Sequence, residues 1–275
     1  MGSLYPWLQV HVLDLDGNYS GLDRDGVTDL AGASHIIQTV APIADFDRDP
    51  LLALHGSVIR NEMANLEWVG YLSSTGVYGD HGGGWVDEDS TLQCADRKSL
   101  ARVEAEKEWR SIEYPEGAIG TRVDCFRCGG IYGPGRSVLS SAAKEMPVAT
   151  PRTAEGAVPK YVNRILVDDI VGAMLTAASS DRLKKNGRAY NLVDDEPATR
   201  GEVLKEARRL LGLKEASVRS SPESGIKGSD IKRRISRNTG NKRCLNHRLK
   251  EEYGWKLKAP TYREGLQLLV ENGCK

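Results

Sequence analysis

Three hydroxyls stand in a row at Ser73, Ser74 and Thr75. They follow a short apolar run, Trp68-Val69-Gly70-Tyr71-Leu72, of the length and composition of a buried strand. Gly76-Val77-Tyr78-Gly79 breaks the pattern, and a glycine-rich, acidic loop runs on to Asp89. A buried strand that delivers hydroxyls at its carboxyl end and then opens into a loop is how open α/β sheets present polar chemistry. The competing reading is a serine that satisfies backbone groups in a turn.

Two further patterns imitate chemistry. Gly76-x-x-Gly79-x-x-Gly82 has the spacing of a phosphate-binding turn and follows a strand. Gly83-Gly84-Trp85 and then Asp87-Glu88-Asp89 come next, which cannot open an amphipathic helix and would repel a pyrophosphate. The stretch therefore reads as a loop over a substrate cleft. Cys125-Phe126-Arg127-Cys128 is formally CxxC, but no second such pair or histidine pair completes a zinc set. In a strand, residues three apart face opposite ways, so two buried strand cysteines are expected and no metal.

Ser73-Ser74-Thr75-Gly76-Val77-Tyr78-Gly79 resembles the SSxxVYG segment of extended short-chain dehydrogenases/reductases, the NAD-dependent epimerase/dehydratase family. Three later segments agree in order and spacing: residues 127–136 (RCGGIYGPGR), 164–170 (RILVDDI) and 190–197 (YNLVDDEP). The resemblance covers roughly residue 35 to the C-terminus. It implies an α/β fold, a Rossmann-like parallel sheet with flanking helices, and a small C-terminal α-rich substrate lobe. It also implies NAD or NADP as cofactor, a nucleotide-sugar-like or small carbonyl or hydroxyl metabolite as substrate, and a homodimer as candidate assembly.

In that family a hydroxyl and a tyrosine hold a substrate oxygen, and a lysine four residues past the tyrosine lowers its pKa. Counting back from Val77 puts the hydroxyl on Ser74, with Thr75 as substitute. The tyrosine and lysine positions fall on Lys98 and Arg102, and no YxxxK occurs elsewhere. A guanidinium does not titrate usefully and cannot replace a phenol. The resemblance further places Ala41, Pro42, Ser73, Gly130, Ile131 and Tyr132 against the cofactor. Tyr78, Arg136 and Asp168 fall against the substrate.

The elements that must hold these residues are legible in part. Residues 1–34 read as irregular, 35–198 as an N-terminally incomplete Rossmann-like core, and 199–275 as the helices of the substrate lobe. Residues 35–42 read as a buried strand ending at Pro42. Residues 49–63 read as a helix capped by Asp49 with Pro50 at its first position and Leu51, Leu54, Val58 and Ile59 on one side. A long helix is expected over 90–110, with Leu100, Ala101, Val103, Ala105 and Lys107 inward and Glu104, Glu106 and Glu108 outward. Residues 123–131 read as one buried strand, 137–161 as loop, 168–179 as a helix and 190–193 as a last strand. Thr199-x-x-Glu202 and Thr261-x-x-Glu264 are capping boxes.

Before the strand at His35 the family has a strand, GxxGxxG, a helix and two more strands. About 34 residues stand where nearly twice that is needed, since each βαβ unit takes about 30 residues or more. No GxxGxxG lies in the first 60 residues, so the usual pyrophosphate anchor is lost. Three expectations follow: an NAD(P)-dependent epimerase, dehydratase or reductase; a non-catalytic relative that binds ligand or acts as a scaffold; and a shortened form of a longer chain.

Bulk composition narrows the rest. Lysine plus arginine and aspartate plus glutamate number 38 each, so no global field draws the chain to nucleic acid or an anionic membrane. Ile226 to Lys250 is basic, with Lys232, Arg233, Arg234, Arg237, Lys242, Arg243, Arg248 and Lys250, and reads as a solvated loop or a docking surface for substrate phosphates. Five scattered cysteines suit a reducing compartment. Without a signal or spanning segment, a soluble cytoplasmic protein is expected, with a chloroplast or other organelle matrix as the alternative.

Overall fold

A computed structural model describes residues 7–15, 19–43, 48–112, 121–143, 159–180, 187–213 and 240–274. The chain runs α1 (Arg24–Gly32), β1 (His35–Gln38), α2 (Pro50–Asn61), β2 (Trp68–Ser74), a 3-10 turn (Thr75–Tyr78) and β3 (Trp85–Val86). Next come α3 (Arg97–Arg110), β4 (Arg122–Cys128), β5 (Gly130–Tyr132), α4 (Val138–Ala143), β6 (Tyr161–Val162) and β7 (Arg164–Leu166). It continues with α5 (Val167–Ala178), β8 (Ala189–Leu192), β9 (Ala198–Thr199) and α6 (Arg200–Leu210). It closes with β10 (Arg243–Cys244), α7 (His247–Tyr253) and α8 (Tyr262–Glu271).

Strands β1, β2, β4 and β8 pair in that order into a four-stranded parallel sheet, with His35 opposite Trp68 and Gln38 opposite Tyr71. The inner strands are buried almost throughout, as in a parallel sheet covered on both faces, and β4 carries Asp124 and Arg127 into that interior. β1 alternates, with Ile36 and Gln38 inward and His35 and Ile37 outward. It stops at Gln38, short of Pro42, because the Gln38 side chain diverts the chain. Its Oε1 accepts the Val40 N–H at 2.9 Å and its Nε2 donates to both Asp49 oxygens at 3.1 Å.

By internal contacts the chain forms two compact units. The first comprises Met1–Leu72, Ala101–Cys125 and Arg182–Arg188. Its α2 is the helix expected, capped by Asp49, whose Oδ1 accepts the Leu52 N–H. Helix α1 lies where none is legible from apolar period. Its start is set by Asp23 accepting the Gly26 N–H at 2.8 Å, with Asp25 in the first turn favouring the helix dipole. Trp68 Nε1 donates to Asp124 Oδ2 at 2.8 Å, and Tyr71 stacks on Trp109 with ring centroids 6.4 Å apart. Trp109 therefore decides which face of α3 goes inward: Ala105, Glu106 and Trp109 are buried and Leu100 is exposed, a rotation from the stripe read in the sequence. The helix also begins at Arg97 rather than residue 90, because Asp96 accepts the Ser99 N–H and so caps it.

The second unit comprises Ser73–Leu100, Phe126–Asp181 and Ala189–Lys275. The strand expected over 123–131 breaks at Gly129, where a Cβ would meet the Asn163 backbone at 2.9 Å. The chain there leaves β4 and pairs as β5 with β7. Tyr132, Leu139, Leu166, Val203, Ala207, Tyr262 and Leu266 form one buried core. Both capping boxes form, opening α6 and α8. Asp169, buried on α5, accepts the backbone N–H of Lys258 at 2.5 Å and of Ala259 at 3.2 Å, tying the C-terminal segment down.

Part of the expected loop at 137–161 is helix α4, while 144–158 lie outside the described residues. In the basic stretch, Lys232, Arg233, Arg234 and Arg237 also lie outside them. The rest is ordered, not a solvated loop. Lys242 Nζ donates to the Gly79 carbonyl, and the Arg243 guanidinium lies 4.8 Å from both the Trp85 and Tyr161 ring centroids. Arg248 pairs with Asp89, and Lys250 with Asp195, each at 2.5 Å. The local reason is that Asn241 to Leu245 lies along the 81–86 loop and bonds its backbone.

Candidate functional site

β2 ends on the hydroxyl row. Ser73 is buried, and its Oγ has no hydrogen-bond partner. Ser74 caps the 3-10 turn: its Oγ accepts the Gly76 N–H at 3.1 Å, which leaves its own proton for a ligand. Thr75 is buried in that turn. Gly79 closes it at φ +72°, with no room for a Cβ against the Gln93 carbonyl. The GxxGxxG spacing is thus used on a 3-10 turn followed by a short strand, not on a helix N-terminus, in accord with its composition.

Tyr78 faces inward, fully buried. Its hydroxyl donates to Asn191 Oδ1 at 2.8 Å and accepts from Arg127 at 3.0 Å, while the Arg127 guanidinium lies 5.0 Å from its ring centroid. Burial pushes this phenol well above its ordinary pKa, against the lowering effect of Arg127. Glu88 joins the network, accepting the Asn191 N–H at 2.8 Å, and burial raises its carboxyl as well. This hub was not legible beforehand, because Asp87-Glu88-Asp89 reads as a solvated acidic run. Only Glu88 turns in: the run folds into a turn closed by the Ser90 N–H on the Asp87 carbonyl, which leaves Asp87 and Asp89 exposed.

The remaining expected residues are dispersed. Lys98, in the first turn of α3, is exposed, whereas its neighbour Ser99 is buried. Arg102 stands on the next turn, half-buried, and its charge lowers the otherwise raised pKa of Tyr71. Ala41 and Pro42 follow β1 in the first unit. Gly130 and Ile131 lie on β5, but the Tyr132 ring belongs to the second unit's core against Gly265. Tyr132 lines a cavity of about 40 Å³ with Val138, Arg164, Val203, Tyr262 and Leu266. Arg136 is exposed in the turn after β5. Asp168 pairs with Lys258 at 2.5 Å, an ion pair half open to solvent.

The hydroxyl row meets one test for a dinucleotide. An unpartnered buried Ser73 hydroxyl and a Ser74 proton left for donation fit the polar edge of a nicotinamide and its substrate. The GxxGxxG spacing of the sequence, Gly76-x-x-Gly79-x-x-Gly82, opens no helix. No helix among them is long and apolar enough to cross a membrane.

No family model matches the chain. Protein YeeZ of Escherichia coli strain K12 is 29% identical over 165 residues, 58% of this chain and 54% of that protein. The chain spans about half the length of the curated relatives it matches. A functionally unknown conserved protein from Silicibacter pomeroyi DSS, of solved structure, is 33% identical with TM-score 0.70, covering 90% of this chain and 80% of that one. A dTDP-glucose 4,6-dehydratase from Bacillus anthracis, solved in complex with NAD, superposes with TM-score 0.63 at 19% identity, covering 90% and 74% of the two chains. That likeness shows a shared fold. The chain therefore belongs to one family with the Silicibacter pomeroyi protein, built on the Rossmann-like fold of the NAD-dependent epimerases and dehydratases.

Proposed function

We propose that the chain binds NAD or NADP and holds a nucleotide-sugar-like or small hydroxyl or carbonyl metabolite at the carboxyl end of β2. The carrying observation is the hydroxyl row, where Ser73 is buried with its Oγ unpartnered and Ser74 keeps its proton. A bound nicotinamide supplies a hydride acceptor or donor. Ser73 would bond the cofactor's polar edge, with Gly130 and Ile131 flanking it. Ser74 would donate to the substrate oxygen, with Thr75 behind it, and Arg136, exposed after β5, would pair with a phosphate. Proton exchange cannot use a tyrosine, because Lys98 and Arg102 stand where the pair belongs. Neither is a phenol.

Support comes from the fold shared with enzymes that bind such ligands, a dehydratase solved with NAD among them. Titration of the full chain with NADH and with NADPH, followed by nicotinamide fluorescence, tests it. Saturable enhancement reversed by the matching oxidised dinucleotide is expected. No saturable change with either would overturn the reading.

A further inference from the structure

Two tyrosines share one small cavity in the second unit. Tyr132 and Tyr262, with Val138, Arg164, Val203 and Leu266, line a space of about 40 Å³. Tyr132 comes from β5, Val138 from α4, Arg164 from β7, Val203 from α6, and Tyr262 and Leu266 from α8. No residue of the hydroxyl row lines it. One water needs about 10–15 Å³ of such space, so there is room for about three water-sized groups.

Both phenols are buried, and neither hydroxyl has a hydrogen-bond partner. Phenylalanine would fill the same core without leaving a hydroxyl unbonded, so two unbonded hydroxyls on one cavity call for a ligand that bonds them. Burial holds the Tyr132 phenol well above its ordinary pKa, which keeps its proton in place as a donor.

Arg164 supplies the charge. It is half-buried, and its Nη1 donates to the Val162 and Ala198 carbonyls at 2.9 and 3.0 Å. Its Nε and Nη2 make no bond among the described residues. The nearby Asp194 does not neutralise it at neutral pH, because burial pushes that carboxyl up to about 8. The other carboxylates felt at Tyr132 are engaged elsewhere. Asp169 accepts the Lys258 and Ala259 N–H groups, and Glu264 accepts the Thr261 N–H at 2.9 Å.

Two phenol protons and a guanidinium are donors, and Val138, Val203 and Leu266 make the remaining lining apolar. The matching group offers acceptors only and carries a short apolar end. A carboxylate takes bonds from a guanidinium and from hydroxyls together, and its charge answers that of the arginine. We propose that this cavity is a binding site for a small aliphatic carboxylate, of formate or acetate size, held by Arg164 and by the Tyr132 and Tyr262 hydroxyls. The assignment uses no residue of the nicotinamide site and stands whether or not that reading does.

The test is titration of isotope-labelled acetate against the full chain at neutral pH, read as line broadening of its carboxyl resonance. Saturable broadening is expected, displaced by unlabelled formate. Sodium chloride at equal ionic strength and acetamide, which has acetate's shape without its charge, should not displace it. Tyr132→Phe and Tyr262→Phe, which keep the rings, should each weaken acetate about tenfold, as for one hydrogen bond to a charged group. Tyr71→Phe, which removes a buried unpartnered hydroxyl from the first unit, should leave acetate binding unchanged. No saturable broadening with the wild type would overturn the proposal, and so would displacement by chloride or acetamide. Acetate affinity unchanged in both cavity variants would overturn it too. Should either variant fail to fold, the comparison of ligands on the wild type still decides.

Discussion

Tyr78 donates to Asn191 across 113 residues of sequence, at 2.8 Å, with no exposure to solvent. The VYG segment is therefore held from within: the tyrosine anchors the turn that carries Ser74, and Arg127 and Glu88 complete the anchor. Tyr78→Phe keeps the ring and strands an Asn191 acceptor, so it should destabilise the protein by about 1–3 kcal/mol in urea unfolding. NADH affinity should stay within about twofold. A loss under about 0.5 kcal/mol would show that the network is dispensable.

Asp194 gives a pH dependence of definite sign. Burial pushes its carboxyl up to about 8, against the lowering influence of a backbone N–H and Arg164, and its Oδ2 has no partner. The folded chain thus holds a proton that the unfolded chain releases near about pH 3.9. The stability this contributes is present in full below that value and is lost as pH rises through about 8. Asp194→Asn removes the titration. Urea unfolding should show the wild type losing stability relative to the variant between pH 5 and pH 8; parallel pH curves would refute it.

His55 works in the opposite direction. Its Nε2 accepts the Leu22 N–H at 2.9 Å, and burial lowers its pKa below the ordinary 6.5. Stability from this neutral imidazole is present above about pH 6.5 and is lost as pH falls through the lower folded value. Protonation makes both ring nitrogens donors and breaks the bond to Leu22. Hydrogen exchange, corrected for intrinsic rate, should show Leu22 protection falling below pH 6 while Asp124-region amides hold. Constant Leu22 protection would exclude this.

Asp124 concentrates the polar energy of the first unit's core. It accepts from the Trp68 indole at 2.8 Å, and Arg122 Nε approaches it at 3.2 Å. Asp124→Ala should cost about 3–5 kcal/mol, as expected when one member of a buried charged pair is removed. Thermal melting measures it. Asp124→Asn, which keeps an acceptor, should recover part of the loss.

Which structural statements could be read without coordinates follows from range. Asp49-Pro50, Thr199-x-x-Glu202 and Thr261-x-x-Glu264 encode helix starts within four residues, and all three form as written. The apolar run at 68–72 could bury only as a sheet strand, and it did. The inward face of α3 was not local information, because it depends on where the Trp109 ring meets Tyr71. Helix α1 escaped notice because Asp23 starts it, not an apolar stripe.

The candidate site divides the same way. By itself the sequence determined that three hydroxyls end a buried strand and that no tyrosine–lysine pair follows. A run of residue types and a spacing are properties of the chain. Only the tertiary structure decided that Tyr78 is spent on Asn191, that Asp168 turns to Lys258, and that Ser99 rather than Lys98 reaches Gly76. Adjacent residues on a helix point about 100° apart, so one position along α3 separates a solvent-facing ammonium from a buried hydroxyl. Only packing sets that rotation.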